Sequence, residues 1–238
     1  MGPAEMPITP IPLLIVALAF VGATVALSIS QALGLVERCN VYWDGCISVS
    51  AAARQDPAVH AFRATVVPHG TLLMLMWPLT VHWLRGLGAG TPAMRLAIAL
   101  LGGISPPMLI YYVIGLGEEG AWIEGPRLIV IRIFFVMTLL AQVLTGVALH
   151  RHARAALAGH RPAVPQWLCV ALLWVAIGMF GVALLSVPVG IALADPSVAH
   201  NLMQWYASSV YLAWFALLWL AWRCSGFTRL DWRPVSGR

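Results

Sequence analysis

The sequence predicts an all-α membrane protein, a bundle of six transmembrane helices that forms a single domain over residues 1–238. Composition indicates the class, because 61% of the residues are hydrophobic and only 10% are charged. The mean hydropathy of +0.85 is typical of a chain built mostly from membrane-spanning segments. Apolar runs also recur along the chain, each near the roughly 20 residues that a helix needs to cross a bilayer.

Six apolar segments are predicted to be the spans, and tryptophans gather at their ends as they do at membrane interfaces. The first segment is long for a signal peptide and no basic residue precedes it, so it is expected to be a retained helix. Tryptophans at span ends include Trp83, Trp122, Trp167, Trp205, Trp219 and Trp222. The predicted spans are about 11–30, 64–84, 94–116, 127–149, 167–193 and 199–222.

Arginine placement predicts the orientation, because basic residues concentrate on the cytoplasmic side of membrane proteins. All 14 basic residues are arginines, and nine lie in the 85–95 loop, the 151–161 loop and the C-terminal tail. We therefore expect both termini in the cytoplasm. The absence of lysine indicates a GC-rich coding sequence, so we expect a bacterial inner-membrane protein, and the net charge of +5 does not indicate nucleic-acid binding. The loops 31–63, 117–126 and 194–199 are predicted to be extracytoplasmic and hold seven carboxylates: Glu37, Asp44, Asp56, Glu118, Glu119, Glu124 and Asp195.

The long outer loop, residues 31–63, contains two cysteines, Cys39 and Cys46. Thiols outside the cytoplasm usually oxidise, so these two are predicted to form a disulfide that closes a small loop around Trp43. A catalytic thiol is the weaker alternative, because no histidine lies close by in sequence. Cys169 and Cys224 fall in or at the end of helices and are expected to pack there.

Charged residues at the outer ends of the second and fourth spans predict a polar site. Arginine is not expected on this side, and a charged group in hydrocarbon is costly unless it is paired or hydrated. Guanidinium groups form bidentate hydrogen bonds with phosphate, so the cluster could hold the head group of an anionic lipid. The candidate head-group residues are Arg63, Arg127, Arg132, Glu118 and Glu119, with Glu124 beside them.

His69 is the candidate catalytic residue, because it lies six residues after Arg63 and so about 9 Å deeper on the same helix. His200, at the outer start of the sixth span, is expected at a similar depth, and with Glu124 the two histidines could bind zinc or supply a general base. No local motif joins these residues. The plainer alternative is that His69 makes one interhelical hydrogen bond while Arg63 snorkels to lipid head groups.

Ser48 and Ser50 are hydroxyl nucleophiles in principle. Neither lies in a G-x-S-x-G motif, so a turn or a helix-capping role is expected for them instead.

A b-type cytochrome is a minor alternative, because histidines occur at both ends of the predicted bundle and two of them can hold one haem. His69 and His82 are thirteen residues apart, which turns them about 140° away from each other on one helix. Two haems stacked along a helix face would need spacings closer to whole turns. The remaining histidines on the cytoplasmic side are His150, His152 and His160.

The run from Cys39 to His69 resembles the first outer loop of the post-GPI-attachment-to-proteins factor 2 family. That family belongs with the FGF-receptor-activating protein and the damage-regulated autophagy modulators. The shared pattern is a cysteine, a Ser-Val-Ser run, a proline, an aromatic-Arg pair and a histidine six residues after that arginine. In this chain the Ser-Val-Ser run lies within residues 48–51, the proline is Pro57, and the aromatic-Arg pair is Phe62-Arg63.

The turn at 117–124 also resembles the family's second outer turn, and six spans with both termini inside agree with the family's architecture. Two positions depart from the pattern, since Ile47 stands where the family has proline and Ile123 where it has histidine. A third departure is at Gln204 to Tyr206, near which the family carries an acidic residue.

The resemblance implies work on lipids at the outer face of the membrane, as in the acyl-chain remodelling of glycosylphosphatidylinositol anchors. The first hypothesis is a lipid acyltransferase or lipid hydrolase acting on a phospholipid or a lipidated molecule. His69 would be its general base or metal ligand, helped by Glu124 or His200. The second hypothesis is a non-enzymatic lipid-binding or scaffold protein. The sequence names no cofactor, metal or protein partner.

Overall fold

The structure is a computed structural model that describes residues 6–118, 120–156, 163–192 and 196–230. In a few short stretches, among them 121–124 and 185–192, only the backbone is described. Seven helices and two short strands are seen in these residues. They are β1 (Met6–Pro7), α1 (Ile11–Ala32), α2 (Val49–Ala52), α3 (Ala58–Gly86), α4 (Pro92–Ile114), α5 (Ala121–Ala156), α6 (Gln166–Ala192), α7 (Pro196–Cys224) and β2 (Arg229–Leu230).

The six long helices, α1 and α3 to α7, pack in chain order as a ring, and α7 closes the ring against α1. Aromatic side chains of α3 and α7, which α1 separates in the ring, meet in its interior. Trp77 and Trp214 are fully buried with ring centroids 6.0 Å apart, and Trp83 and Trp222 meet at 6.3 Å closer to the ends of the same helices. Large aromatic surfaces therefore fill the bundle, and van der Waals contact is the main force that joins helices in a membrane.

The two ends of the described chain lie at the same end of the bundle. β1 pairs antiparallel with β2, with Met6 opposite Leu230, and the amide of Ile8 donates to the carbonyl of Thr228 at 3.2 Å. This pairing holds the segment before α1 against the segment after α7.

The prediction of an all-helical fold is confirmed, and the apolar helices could span a membrane. Five helices are long and apolar enough to cross a membrane, namely α1, α3, α4, α7 and the part of α5 from Gly125 to Ala155. In α6 the apolar stretch with described side chains is shorter, from Gln166 to Val182. The count of six spans and the cytoplasmic termini stay predictions.

Three boundaries differ by six or seven residues from those predicted, one of them the start of α5 at Ala121. α3 begins at Ala58, so the last residues assigned to the outer loop are the first turns of this helix. α5 continues to Ala156 and carries Arg151 and Arg154 on the helix itself, because no proline or glycine interrupts the chain there.

The two remaining cysteines differ in environment. Cys169 is buried in α6, as expected, whereas the packing predicted for Cys224 is wrong because its side chain is exposed at the end of α7.

Candidate functional site

The outer loop is closed by the predicted disulfide between Cys39 and Cys46, whose Cα atoms are 6.5 Å apart. This separation lies within the range that a disulfide spans. Trp43, inside the small ring that the disulfide closes, is 78% exposed. An exposed tryptophan in such a loop is suited to the interfacial region of a bilayer.

The same loop is anchored on the first turns of α7. The side-chain amide of Asn201 donates to the carbonyl of Gly45 at 2.8 Å, and Trp205 Nε1 donates to the carbonyl of Ile47 at 2.9 Å. These side chains satisfy loop carbonyls that would otherwise face the helix unpaired. Sequence reasoning missed this role for Trp205, whose position at a span end indicated only an interfacial residue.

The short helix α2 packs against α1 and α7. Ser48 caps α2, since its Oγ accepts from the amide of Ala51 at 3.2 Å, which confirms the capping role predicted for it. Ser50 Oγ lies 3.3 Å from Ser48 Oγ. The Ser-Val-Ser run therefore begins a short helix that holds this part of the outer loop against α1 and α7.

Arg63 of α3 binds the C-terminal end of α4. Its Nη2 donates to the carbonyls of Ile114 and Leu116, each at 2.7 Å, and its Nε donates to the carbonyl of Val113 at 3.4 Å. Nη2 is also 2.8 Å from Glu118 Oε1 in an ion pair whose side chains are 24% and 54% exposed. The last carbonyls of a helix have no partner within it and carry its negative partial charge, so a guanidinium is well suited to this position.

Arg127 of α5 reaches the same end of α4. Its Nη1 donates to the carbonyl of Gly115 at 3.2 Å, and the residue is only 8% exposed. Arg63, Arg127 and Glu118 thus converge at the end of α4, as the sequence predicted, and we refer to these three residues as the α4-end cluster.

Arg132 does not join this cluster. It is exposed, and a displacement of five residues from Arg127 turns it about 140° around the axis of α5. The prediction that it faces the same site is therefore wrong. Glu119 and the side chain of Glu124, the other predicted members, lie outside the described residues.

His69 lies in the core of the bundle, 2% exposed, and not in an outer pocket. Its Nδ1 is 2.8 Å from the carbonyl of Ile15 in α1, so Nδ1 carries the proton and donates. Its Nε2 lies 3.4 Å from the hydroxyl of Tyr211 in α7, which donates to it. His69 thus joins three helices through hydrogen bonds, as the plainer alternative of an interhelical role predicted. The expectation that His69 converges with Arg63 on one wet pocket is wrong.

His200 lies far from His69. It is exposed, with its Nε2 2.7 Å from Nε2 of Gln204, and it precedes Tyr211 by eleven residues, or about 16 Å along α7. Because Tyr211 marks the depth of His69, the expectation of similar depth is wrong. Within the described residues no three His, Cys, Asp or Glu side chains gather as metal ligands would.

These two histidines give a matched pair of substitutions. His69→Ala should lower the free energy of unfolding by about 2 kcal/mol, because it removes a buried hydrogen bond and leaves a cavity. His200→Ala should change it by less than about 0.5 kcal/mol, because the side chain is exposed. Reversible unfolding of the purified protein in mixed micelles measures both values. Equal effects of the two substitutions would contradict the core assignment of His69.

The chain was compared with protein-family models, with curated proteins and with solved structures, and none matches it. The resemblance of the outer loop to the acyl-remodelling family therefore stays a prediction that rests on the residues from Cys39 to His69.

Proposed function

We propose that this protein is a six-span bacterial inner-membrane protein that binds the head group of an anionic phospholipid of the outer leaflet at the α4-end cluster. Both termini would lie in the cytoplasm, and the loops 31–63, 117–126 and 194–199 outside it. The pairing of β1 with β2 supports an even number of spans, since it holds the first and last described segments at one end of the bundle. The concentration of arginines in the 85–95 and 151–161 loops supports the orientation.

The observation that carries this proposal is the buried guanidinium of Arg127. A guanidinium has five N–H donors, and the described residues supply Arg127 with a single acceptor, the carbonyl of Gly115. A buried charge is costly unless it is paired and hydrogen-bonded. The donors on Nε and Nη2 are therefore available to an anion, and phosphate oxygens match their geometry.

Arg63 adds a second set of donors next to Arg127. Its Nη2 is engaged by α4 carbonyls and by Glu118, but its Nη1 has no acceptor among the residues that the structure describes. Glu118 neutralises part of this charge, and it does so weakly because it is half exposed. The cluster thus keeps a net positive charge at the end of an apolar helix, where the head groups of a bilayer would lie.

Binding has more support than acyl chemistry. Acyl transfer or ester hydrolysis needs a base beside the bound lipid. His69 is held in the core by Ile15 and Tyr211, and His200 is on the exposed start of α7. Lipid turnover therefore rests on the resemblance alone, whereas head-group binding also has the contacts of Arg63 and Arg127.

The proposal is tested by native mass spectrometry of the full-length protein in mild detergent, titrated with phosphatidylglycerol or with phosphatidylcholine. Wild type should bind phosphatidylglycerol more tightly than phosphatidylcholine. Arg127→Gln should weaken the binding of one phosphatidylglycerol per protein about ten-fold, the equivalent of one lost charge-assisted contact of about 1.4 kcal/mol.

Arg132→Gln is the matched control, because it removes the same charge from the exposed face of the same helix. It should leave the affinity within about two-fold of wild type, as expected of an exposed charge. Equal affinities for the two lipids, or equal losses in the two variants, would contradict the proposal. The same spectra report lysolipid and free fatty acid, whose appearance with wild type would favour the enzyme over the binding protein.

A further inference from the structure

A second polar feature lies at the opposite end of α4, where its first turns pack beside the last turns of α3. A cleft of about 200 Å³ opens there between the two helices. Two of its six lining residues are arginines and four are apolar. The lining consists of Val81, Arg85, Pro92, Arg95, Leu96 and Ala99.

The two guanidinium groups of the cleft differ in how they are held. Arg95 is half-buried, and its Nη1 donates to the carbonyls of Ala89 at 3.1 Å and Gly90 at 2.7 Å, which fixes the side chain in place. Its Nε and Nη2 have no acceptor within the described part of the chain. Arg85 is exposed and has no hydrogen bond or ion pair to a described residue. The cleft therefore presents one oriented and one adaptable cation.

No carboxylate on these helices neutralises the pair. The sequence contains no Asp or Glu between Asp56 and Glu118, a stretch that includes all of α3 and α4. The neighbouring end of α5 adds Arg151 and Arg154, because Ala148 contacts Gly90 beside the cleft. This end of the bundle is therefore strongly positive and suited to an anionic ligand.

The apolar part of the cleft runs away from the arginines along α4. Pro92 and Ala99 are seven residues apart, so the cleft extends about 10 Å along the helix. Leu96 is 60% exposed, and Leu100, one turn further along α4, is 55% exposed. The cleft has a charged entrance that continues into an apolar groove on the lipid-facing side of the helix. This arrangement matches the charged head group and apolar chain of a phospholipid.

We propose that this cleft binds an anionic phospholipid of the leaflet at this end of the bundle, predicted to be the cytoplasmic leaflet. The phosphate lies between Arg85 and Arg95, and one acyl chain lies along Val81, Leu96 and Ala99. The site is independent of the α4-end cluster, because Pro92 and Ile114 are 22 residues apart, about 33 Å along α4.

The test is photolabelling of the full-length protein in bilayers with phosphatidylglycerol that carries a diazirine in one acyl chain, followed by peptide mapping. Wild type should be labelled within residues 81–99. Arg85→Gln should reduce this labelling about five-fold at a sub-saturating probe concentration, because one arginine near an anionic head group contributes about 1 kcal/mol. Ala99→Trp, which fills the groove and keeps both arginines, should abolish it.

Two controls separate this site from the rest of the molecule. Arg154→Gln removes a charge from the same end of the bundle but outside the cleft, and it should leave the labelling unchanged. Arg127→Gln, at the other end of α4, should also leave it unchanged, so that failure of the outer site and failure of this one are told apart. Equal labelling by the phosphatidylcholine probe, or equal losses in Arg85→Gln and Arg154→Gln, would overturn the proposal.

Discussion

Replacing Arg63 with glutamine is expected to lower the free energy of unfolding by about 3 kcal/mol, because three carbonyls at the end of α4 lose a charged donor. Two of these carbonyls, those of Ile114 and Leu116, accept from Nη2 at 2.7 Å. The glutamine side chain is shorter and neutral, so it cannot reach the same set of acceptors. Unfolding in mixed micelles, followed by tryptophan fluorescence, measures the change.

Arg132→Gln serves as the control for this effect too, because Arg132 is an exposed arginine with no hydrogen bond or ion pair to a described residue. Its effect should stay below about 0.5 kcal/mol. Arg63→Lys should recover part of the lost stability, because a lysine ammonium still donates to the helix end but lacks the guanidinium fork. If Arg63→Gln had the same free energy of unfolding as wild type, the α4 carbonyls would not depend on this side chain.

The second large effect is expected from Gly102→Ala. Gly102 of α4 lies directly against the ring of Trp77, and an added Cβ would overlap that ring. Trp77 cannot move aside easily, because it is fully buried and packs on Trp214 at 6.0 Å and on Phe215 at 6.5 Å. Overpacking of such a site should cost about 3 kcal/mol, at the upper end of the usual range.

Gly103→Ala is the matched control, because it makes the same chemical change at the next residue of the same helix. A Cβ at Gly103 meets no atom of the described structure within 4 Å. The substitution should be neutral or slightly stabilising, since alanine is the better helix former. The difference between the two variants, measured by the same unfolding assay, reports the tightness of the contact between α3 and α4. Equal stabilities of Gly102→Ala and Gly103→Ala would contradict a tight contact between Gly102 and Trp77.

The helices could be predicted from the sequence because apolar runs of the right length are a local signal. The same is true of the disulfide, which follows from two cysteines close together in an outer loop. The different directions of Arg132 and Arg127 could also be predicted, since a separation of five residues on a helix corresponds to about 140° around its axis. Their similar depth in the membrane predicts one shared site, but their directions around the helix axis do not.

The partners of Arg63 and His69 could not be predicted in the same way. Both were recognised as polar groups that need a partner within the membrane. Besides the side chains of Glu118 and Tyr211, the partners are backbone carbonyls, at the end of α4 for Arg63 and of Ile15 in α1 for His69. Every residue has a carbonyl, so no sequence pattern marks the one that is used, and the packing of α1 against α3 had to be known first.

The central contact of the proposed site is that of an anionic lipid phosphate with the guanidinium of Arg127. Solid-state NMR measures it directly as the dipolar coupling between lipid phosphorus and arginine guanidinium nitrogen, in protein labelled with ¹⁵N-arginine in phosphatidylglycerol bilayers. A hydrogen-bonded pair, with N···O near 2.8 Å, gives a strong coupling. We expect part of this coupling to disappear in Arg127→Gln and to persist in Arg132→Gln. Coupling that is the same in wild type and Arg127→Gln would contradict the account.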